Sequence, residues 1–154
     1  MEENKKKVTL LLSLLVLSSL LLSACGAGAG ANTIKVGVVA ELTGDIPAVG
    51  ASCKNAAEMA VKEINDAGGL EVAGKKYTIE LFIEDNAGKA DQSASAAQKL
   101  ITQQEVVAII GPNASRYAIP AAEIAESSKI PLITPWSTNP KTTLDAQTGA
   151  SKKY

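Results

Sequence analysis

Histidine is absent from the 154 residues, which removes His-based catalytic triads, His–metal sites and imidazole pH switches together. Only two cysteines occur, Cys25 and Cys53, so there is no CxxC pair, no Cys-rich zinc site and no disulfide framework. Aromatic residues make up 3%, too few for the stacking platforms that hold single-stranded nucleic acid. Neither sign of charge is in excess. Fifteen Lys and Arg stand against sixteen Asp and Glu, and no basic run exists beyond Lys5–Lys7, which argues against a nucleic-acid footprint. The phosphate-cradling patterns GxGxxG and GxxxxGK[ST] are missing, as is a GxSxG nucleophile elbow. What the chain does have is apolar residues, 46% of the total, enough for the core of one domain.

The first residues read as a leader and not as fold. A charged start, EENKKK, precedes an apolar and serine run from Val8 to Leu22, followed by Leu22-Ser23-Ala24-Cys25 and the spacer GAGAGAN. The run is short for a hydrocarbon core of roughly 30 Å, which needs about 20 apolar residues. Small residues follow it where a stop-transfer helix carries basic ones, so a secretory signal is the better reading. LSAC resembles the bacterial lipoprotein signal, in which cleavage before Cys25 leaves a thiol to be acylated. Each buried CH₂ contributes about 0.8 kcal/mol, so several acyl chains anchor a body to a membrane surface. The expected division is a leader at 1–24, a tether at 25–32, a lobe at 33–143, and the start of a continuation at 144–154. Removing the leader deletes Glu2, Glu3 and Lys5–Lys7 and leaves a mildly acidic, extracytoplasmic body. Cys53, among Ala51, Ser52, Ala56 and Ala57, reads as a packing residue, since no base accompanies it.

The body alternates strands and helices. Thr33–Ala40 is a β-branched apolar run, read as a buried strand. A loop over Glu41–Gly50 leads to a helix over Ala51–Ala67, with Ala56, Ala57, Ala60, Val61 and Ile64 on one stripe and Gly68-Gly69 as its stop. Val72–Lys76 reads as a turn and Tyr77–Glu84 as a strand. Asp91 is placed to cap a helix running to Gln104, with Ala94, Ala97, Leu100 and Ile101 inward. Val106–Ile110 reads as a strand, and Ala114–Ser128 as a helix burying Ile119, Ala122, Ile124 and Ala125 and bent or restarted at Pro120. Pro131–Thr134 reads as a fourth strand, and the remainder as polar loop. The order β-α-β-α-β-α-β predicts an α/β fold, a parallel Rossmann-like sheet with helices on both faces.

In such sheets ligands bind beyond the carboxyl ends of the strands. Three loops lie there: Glu41–Gly50, Gly111–Ser115 and Pro135–Pro140. Ser115 stands near a helix N-terminus, where backbone N–H groups and the helix dipole favour an anion; a plain N-cap, worth about 1 kcal/mol, explains it equally well. Ser137 and Thr138 offer hydroxyls, and Trp136, the only Trp, offers an apolar face. Together they make a zwitterion site plausible. Glu84 and Asp85 are more readily turn or capping groups than a catalytic pair.

The runs IKVGVVAELTGDIPAVG, NAAEMAVKEINDAGGLEVAGKKYTIELFIEDNAGKADQSASAAQKLI and VVAIIGPNAS…IPLITPWSTNP resemble, from Ile34 to Thr143, the N-terminal lobe of branched-chain amino-acid-type solute-binding proteins. The resemblance implies the first lobe of a type I periplasmic-binding fold and a non-enzymatic role. That role is to bind a branched-chain or other small amino acid outside the cytoplasm and deliver it to the permease and ATPase subunits of an ABC importer. It implies that Ser115 holds the ligand carboxylate by hydroxyl and N–H, that Thr138 contacts carboxylate and amine, and that Trp136 offers a carbonyl to the ammonium. Val49 falls where the family often sets an aromatic near the ligand side chain. No cofactor or metal is implied. The family's second lobe has no counterpart before Tyr154, so the expectation is an incomplete receptor. Two other functions stay open: a ligand-sensing domain of the same fold, and an envelope α/β enzyme using Glu84, Asp85 or Ser115.

Overall fold

The computed structural model describes residues 32–145 and 147–154; the leader, Cys25 and the tether before Asn32 lie outside them. Strand β1 (Thr33–Ala40) is the middle of a five-stranded sheet ordered β2-β3-β1-β4-β5, with β2 (Leu70–Val72), β3 (Lys75–Asp85), β4 (Ala108–Ile110) and β5 (Leu132–Ile133). β1 runs parallel to β3 from Thr33 opposite Thr78 to Ala40 opposite Asp85, and parallel to β4 on its other side. β5 extends the parallel set beyond β4. The position of β1 explains why its sequence does not alternate: helices cover both of its faces. Val38 and Ala40 pack with Ala57 of α1 (Pro47–Asp66) on one side. Val39 packs on the other with Ala96, Ala97 and Leu100 of α2 (Ala90–Thr102) and Ala121 of α3 (Ser115–Ser128).

The expected α/β order is present, with local differences. Helix α1 starts at Pro47, four residues before the expected Ala51, because proline suits the first helical position, where no N–H is needed. Its inner stripe also differs from the expected one: Gly50 and Ala57 are buried and Val61 and Ile64 half-buried, whereas Ala56 and Ala60 are exposed. Gly50 is required by a close approach. A Cβ there would lie 2.1 Å from the carbonyl oxygen of Glu41. The segment read as a turn after Gly69 is a hairpin: β2 pairs antiparallel with β3 through Ala73-Gly74, both at positive φ. β2 escaped the sequence reading because it is only three residues long and all three are exposed.

Asp91 lies in the first turn of α2 but does not cap it; the cap position is Lys89, without a side-chain bond. α3 runs unbroken through Pro120, which leaves the Arg116 carbonyl without its i→i−4 donor but does not end the helix. The tail is not featureless loop. A 3₁₀ turn at Pro140–Thr142 buries Thr142, and the segment behind it returns to α3. There Lys152 pairs with Glu123 at 2.7 Å, and the Lys153 and Tyr154 amides donate to Glu126.

Candidate functional site

The carboxyl ends of β1, β4 and β5 bring three loops together. A cleft of about 250 Å³ opens between them, lined by Ile46, Ala114, Ser115, Arg116, Trp136 and Thr138. Ser115 is the first residue of α3, and the cap position before it, Ala114, makes no side-chain bond. The serine hydroxyl is thus not spent on its own helix. Its Oγ faces the β5 loop, accepting from the Thr138 and Asn139 amides at 3.2 Å each and from the Ser137 hydroxyl at 3.0 Å. Ser137 is itself held at 2.6 Å from the Thr142 hydroxyl, and its amide donates to Thr134 Oγ1. Thr134 in turn donates to the Pro112 carbonyl at 2.7 Å, tying the β5 loop to the β4 loop. A chain of hydroxyls thus holds the two loops at one distance.

The capping that Ser115 does not perform comes from across the sheet. Glu41, the residue after β1, is wholly buried. Its carboxylate accepts from the Asn113 amide at 3.0 Å, the Asn113 side-chain nitrogen at 2.7 Å and the Ala114 amide at 3.2 Å. Two backbone donors immediately before α3, the Asn113 and Ala114 amides, are satisfied by a residue 72 and 73 positions earlier. The amides of Ser115 and Arg116, in the first turn, have no carbonyl partner inside the helix and are left beside the cleft.

The β1 loop is pinned on its other side. Asp45 accepts from the Tyr117 hydroxyl at 2.8 Å and from the Arg116 guanidinium, and these partners, Tyr117 first, hold its carboxyl below the usual range. The Arg116 guanidinium also lies 4.6 Å from the Tyr117 ring centre. Asp85 collects the Leu42, Thr43 and Ala87 amides and, at 2.6 Å, the Thr43 hydroxyl. Burial pushes its carboxyl up, but those hydrogen bonds outweigh it and the net direction is down. Glu84 pairs with Lys99 at 2.7 Å. Both carboxylates are therefore turn and surface groups, not a catalytic pair. Cys53 is half-buried, and burial, helped by the Glu41 charge, raises its thiol above the ordinary value, the opposite of an activated nucleophile.

Four of the five ligand-site residues named from sequence meet here. Ser115, Trp136 and Thr138 line the cleft, and Ser137 stands behind Ser115. Val49 is in the first turn of α1, its amide bonded back to Ile46, and it is not a lining residue; Ile46 occupies the cleft edge. Trp136 is 57% exposed, so its indole is open at the rim. Sequence reasoning missed Glu41, Ile46 and the Asn139 amide. For Glu41 the available signal was its position, directly after a fully buried Val-Val-Ala at the end of the central strand. Among the described residues no cluster of three His, Cys, Asp or Glu is placed to hold a metal ion, and no helix is long and apolar enough to cross a membrane.

Comparison with known proteins agrees with the fold. A family model described as periplasmic binding protein matches residues 33–149. A Leu/Ile/Val-binding protein of Rhizobium johnstonii is 37% identical over 110 residues, covering 71% of this chain and 29% of that protein. Among solved structures, the branched-chain amino acid transporter substrate-binding protein LivJ of Streptococcus pneumoniae, in complex with isoleucine, superposes with a TM-score of 0.67. It shares 37% identity over 73% of this chain and 31% of that one. A solute-binding protein of an ABC transporter from Rhodopseudomonas palustris, in complex with 3,4-dihydroxybenzoic acid, gives a TM-score of 0.62 at 32% identity, covering 72% of this chain and 29% of that one. The chain thus spans less than a third of the length of these relatives.

Proposed function

This chain belongs to the periplasmic binding protein family, and from that premise we propose that it is the N-terminal ligand-binding lobe, residues 33–143, of an extracytoplasmic receptor for a branched-chain or similar small amino acid. The receptor delivers its ligand to the permease and ATPase subunits of an ABC importer. It is tethered to the cell membrane through an acylated Cys25, with residues 1–24 as the leader. The observation that carries the ligand assignment is the meeting of the Ser115 hydroxyl with the Thr138 and Asn139 amides at the start of α3. A carboxylate entering there exchanges partners with a ready-made set of donors at the start of α3. The carbonyl of Trp136 and the hydroxyl of Thr138 accept from the ammonium. Ile46 and the indole of Trp136 give the ligand side chain an apolar wall.

A second ligand class is favoured by one feature, the open indole of Trp136, a flat face suited to an aromatic acid like the one bound in the Rhodopseudomonas relative. Calorimetric titration of the complete receptor with leucine, isoleucine and 3,4-dihydroxybenzoate separates the two. On the amino-acid reading, leucine or isoleucine binds more tightly than the aromatic acid, and Thr138→Ala lowers the affinity by about 1.5–3 kcal/mol, the worth of a charge-assisted hydrogen bond. Unchanged affinity in that variant removes Thr138 from the site. Tighter binding of the aromatic acid replaces the amino-acid reading with the second.

A further inference from the structure

We propose that Glu41 sets the charge selectivity of this cleft: its buried carboxylate beneath the start of α3 favours ligands that carry an ammonium with their carboxylate and disfavours simple monoanionic acids. The inference rests on the amino-acid reading given above. Glu41 is 0% exposed and is one of the largest wholly buried side chains in the protein. Its charge therefore acts through a poorly polarisable interior that salt does not reach.

Three things follow for an arriving anion. Glu41 already occupies the Asn113 and Ala114 amides, so the ligand meets only the later amides of the first turn. A full negative charge lies against a helix end whose dipole supplies roughly half a positive one. Arg116, the one charged side chain among the six lining residues, is already paired with Asp45. No positive charge is left uncompensated at the cleft wall. A bare carboxylate therefore faces a site with donors but no net attraction, whereas a zwitterion brings its own cation. The carboxylate is also locked in place. Gly50 packs against its backbone with no room for a Cβ, and Asn113, one of its donors, is itself 3% exposed.

The test compares L-leucine with 4-methylpentanoate, the same carbon skeleton without the amine, on the complete receptor whose first lobe this chain forms and on its Glu41→Gln and Glu41→Asp variants. Glutamine keeps the volume and can accept the backbone amides while its own amide pairs with a turned Asn113. The wild type is expected to prefer leucine, and Glu41→Gln to narrow the leucine-to-acid ratio by about tenfold or more, chiefly through tighter binding of the acid. Glu41→Asp keeps the charge on a shorter arm and is expected to keep the ratio, whatever it costs in melting temperature. An unchanged ratio in Glu41→Gln, with both ligands weakened together, overturns the proposal and leaves Glu41 a structural cap. A narrowed ratio in Glu41→Asp also overturns it. A wild type that binds neither compound, or prefers the acid, overturns the amino-acid reading and this inference with it. That failure shows in the wild type alone, apart from any variant.

Discussion

Gly50→Ala sets two effects of opposite sign against each other. Gly50 is the fourth residue of α1, and by propensity an alanine inside a helix is worth about 1 kcal/mol over glycine. The surroundings reverse this. The added Cβ would lie 2.1 Å from the Glu41 carbonyl oxygen, 2.3 Å from its carbon and 2.7 Å from its nitrogen. All three are backbone atoms at the end of the central strand, so no side chain can swing aside; either α1 or the β1 loop must move by more than an ångström. Overpacking against yielding neighbours costs about 1–3 kcal/mol, and backbone on both sides puts this case at the top of that range or above it. Net destabilisation of at least about 2 kcal/mol remains after the propensity gain is subtracted. For a domain of this size that lowers Tm by roughly 6–12 °C. Circular dichroism melts of wild type and Gly50→Ala measure it. Ala56→Ser, on the exposed face of the same helix, serves as a control expected within about 0.5 kcal/mol of wild type. A Gly50→Ala melting temperature equal to or above wild type would refute the close approach and let propensity decide.

Two more expectations follow from other parts of the protein. Asp45 titrates below its ordinary value because the Tyr117 hydroxyl and Arg116 hold the carboxylate. Its contribution to stability is therefore present above the ordinary carboxylate pKa and lost as pH falls through the lowered one. The melting-temperature gap between wild type and Asp45→Asn should be open at pH 7 and close as pH falls through the lowered value; a gap independent of pH refutes the assignment. Acylation of Cys25 predicts that protein extracted from bacterial membranes has its N-terminus at Cys25 and carries the added mass of acyl chains. An unmodified Cys25, or a retained leader, refutes the anchor.

The periodic parts of the fold were legible before any coordinates. Thr33–Ala40 is unmistakable as a buried strand because β-branched residues occupy both of its faces, and α2 shows its inner stripe at Ala97 and Leu100. Ser115, Trp136, Ser137 and Thr138 could be named because loops after parallel strands gather at one edge of the sheet. The failures have local causes. Pro47 looks like loop punctuation among Gly44 and Asp45 but opens a helix, and in that helix Ala56 and Ala60, expected inside, face outward. Leu70–Val72 is too short and too exposed to announce itself as a strand.

By itself, then, the sequence determined the layering: the four parallel strands, the helices that cover them, and that their order demands a mostly parallel sheet. Those are properties of periodicity, carried by neighbours a few residues apart. Only the tertiary structure decided that Glu41 caps a helix 72 residues away, that Ser115 turns its hydroxyl to the β5 loop, and that Ile46 and not Val49 edges the cleft. A carboxylate following a strand reads as solvated until the helix that covers it is in place. Its burial depends on contacts far apart along the chain, and no local pattern encodes them.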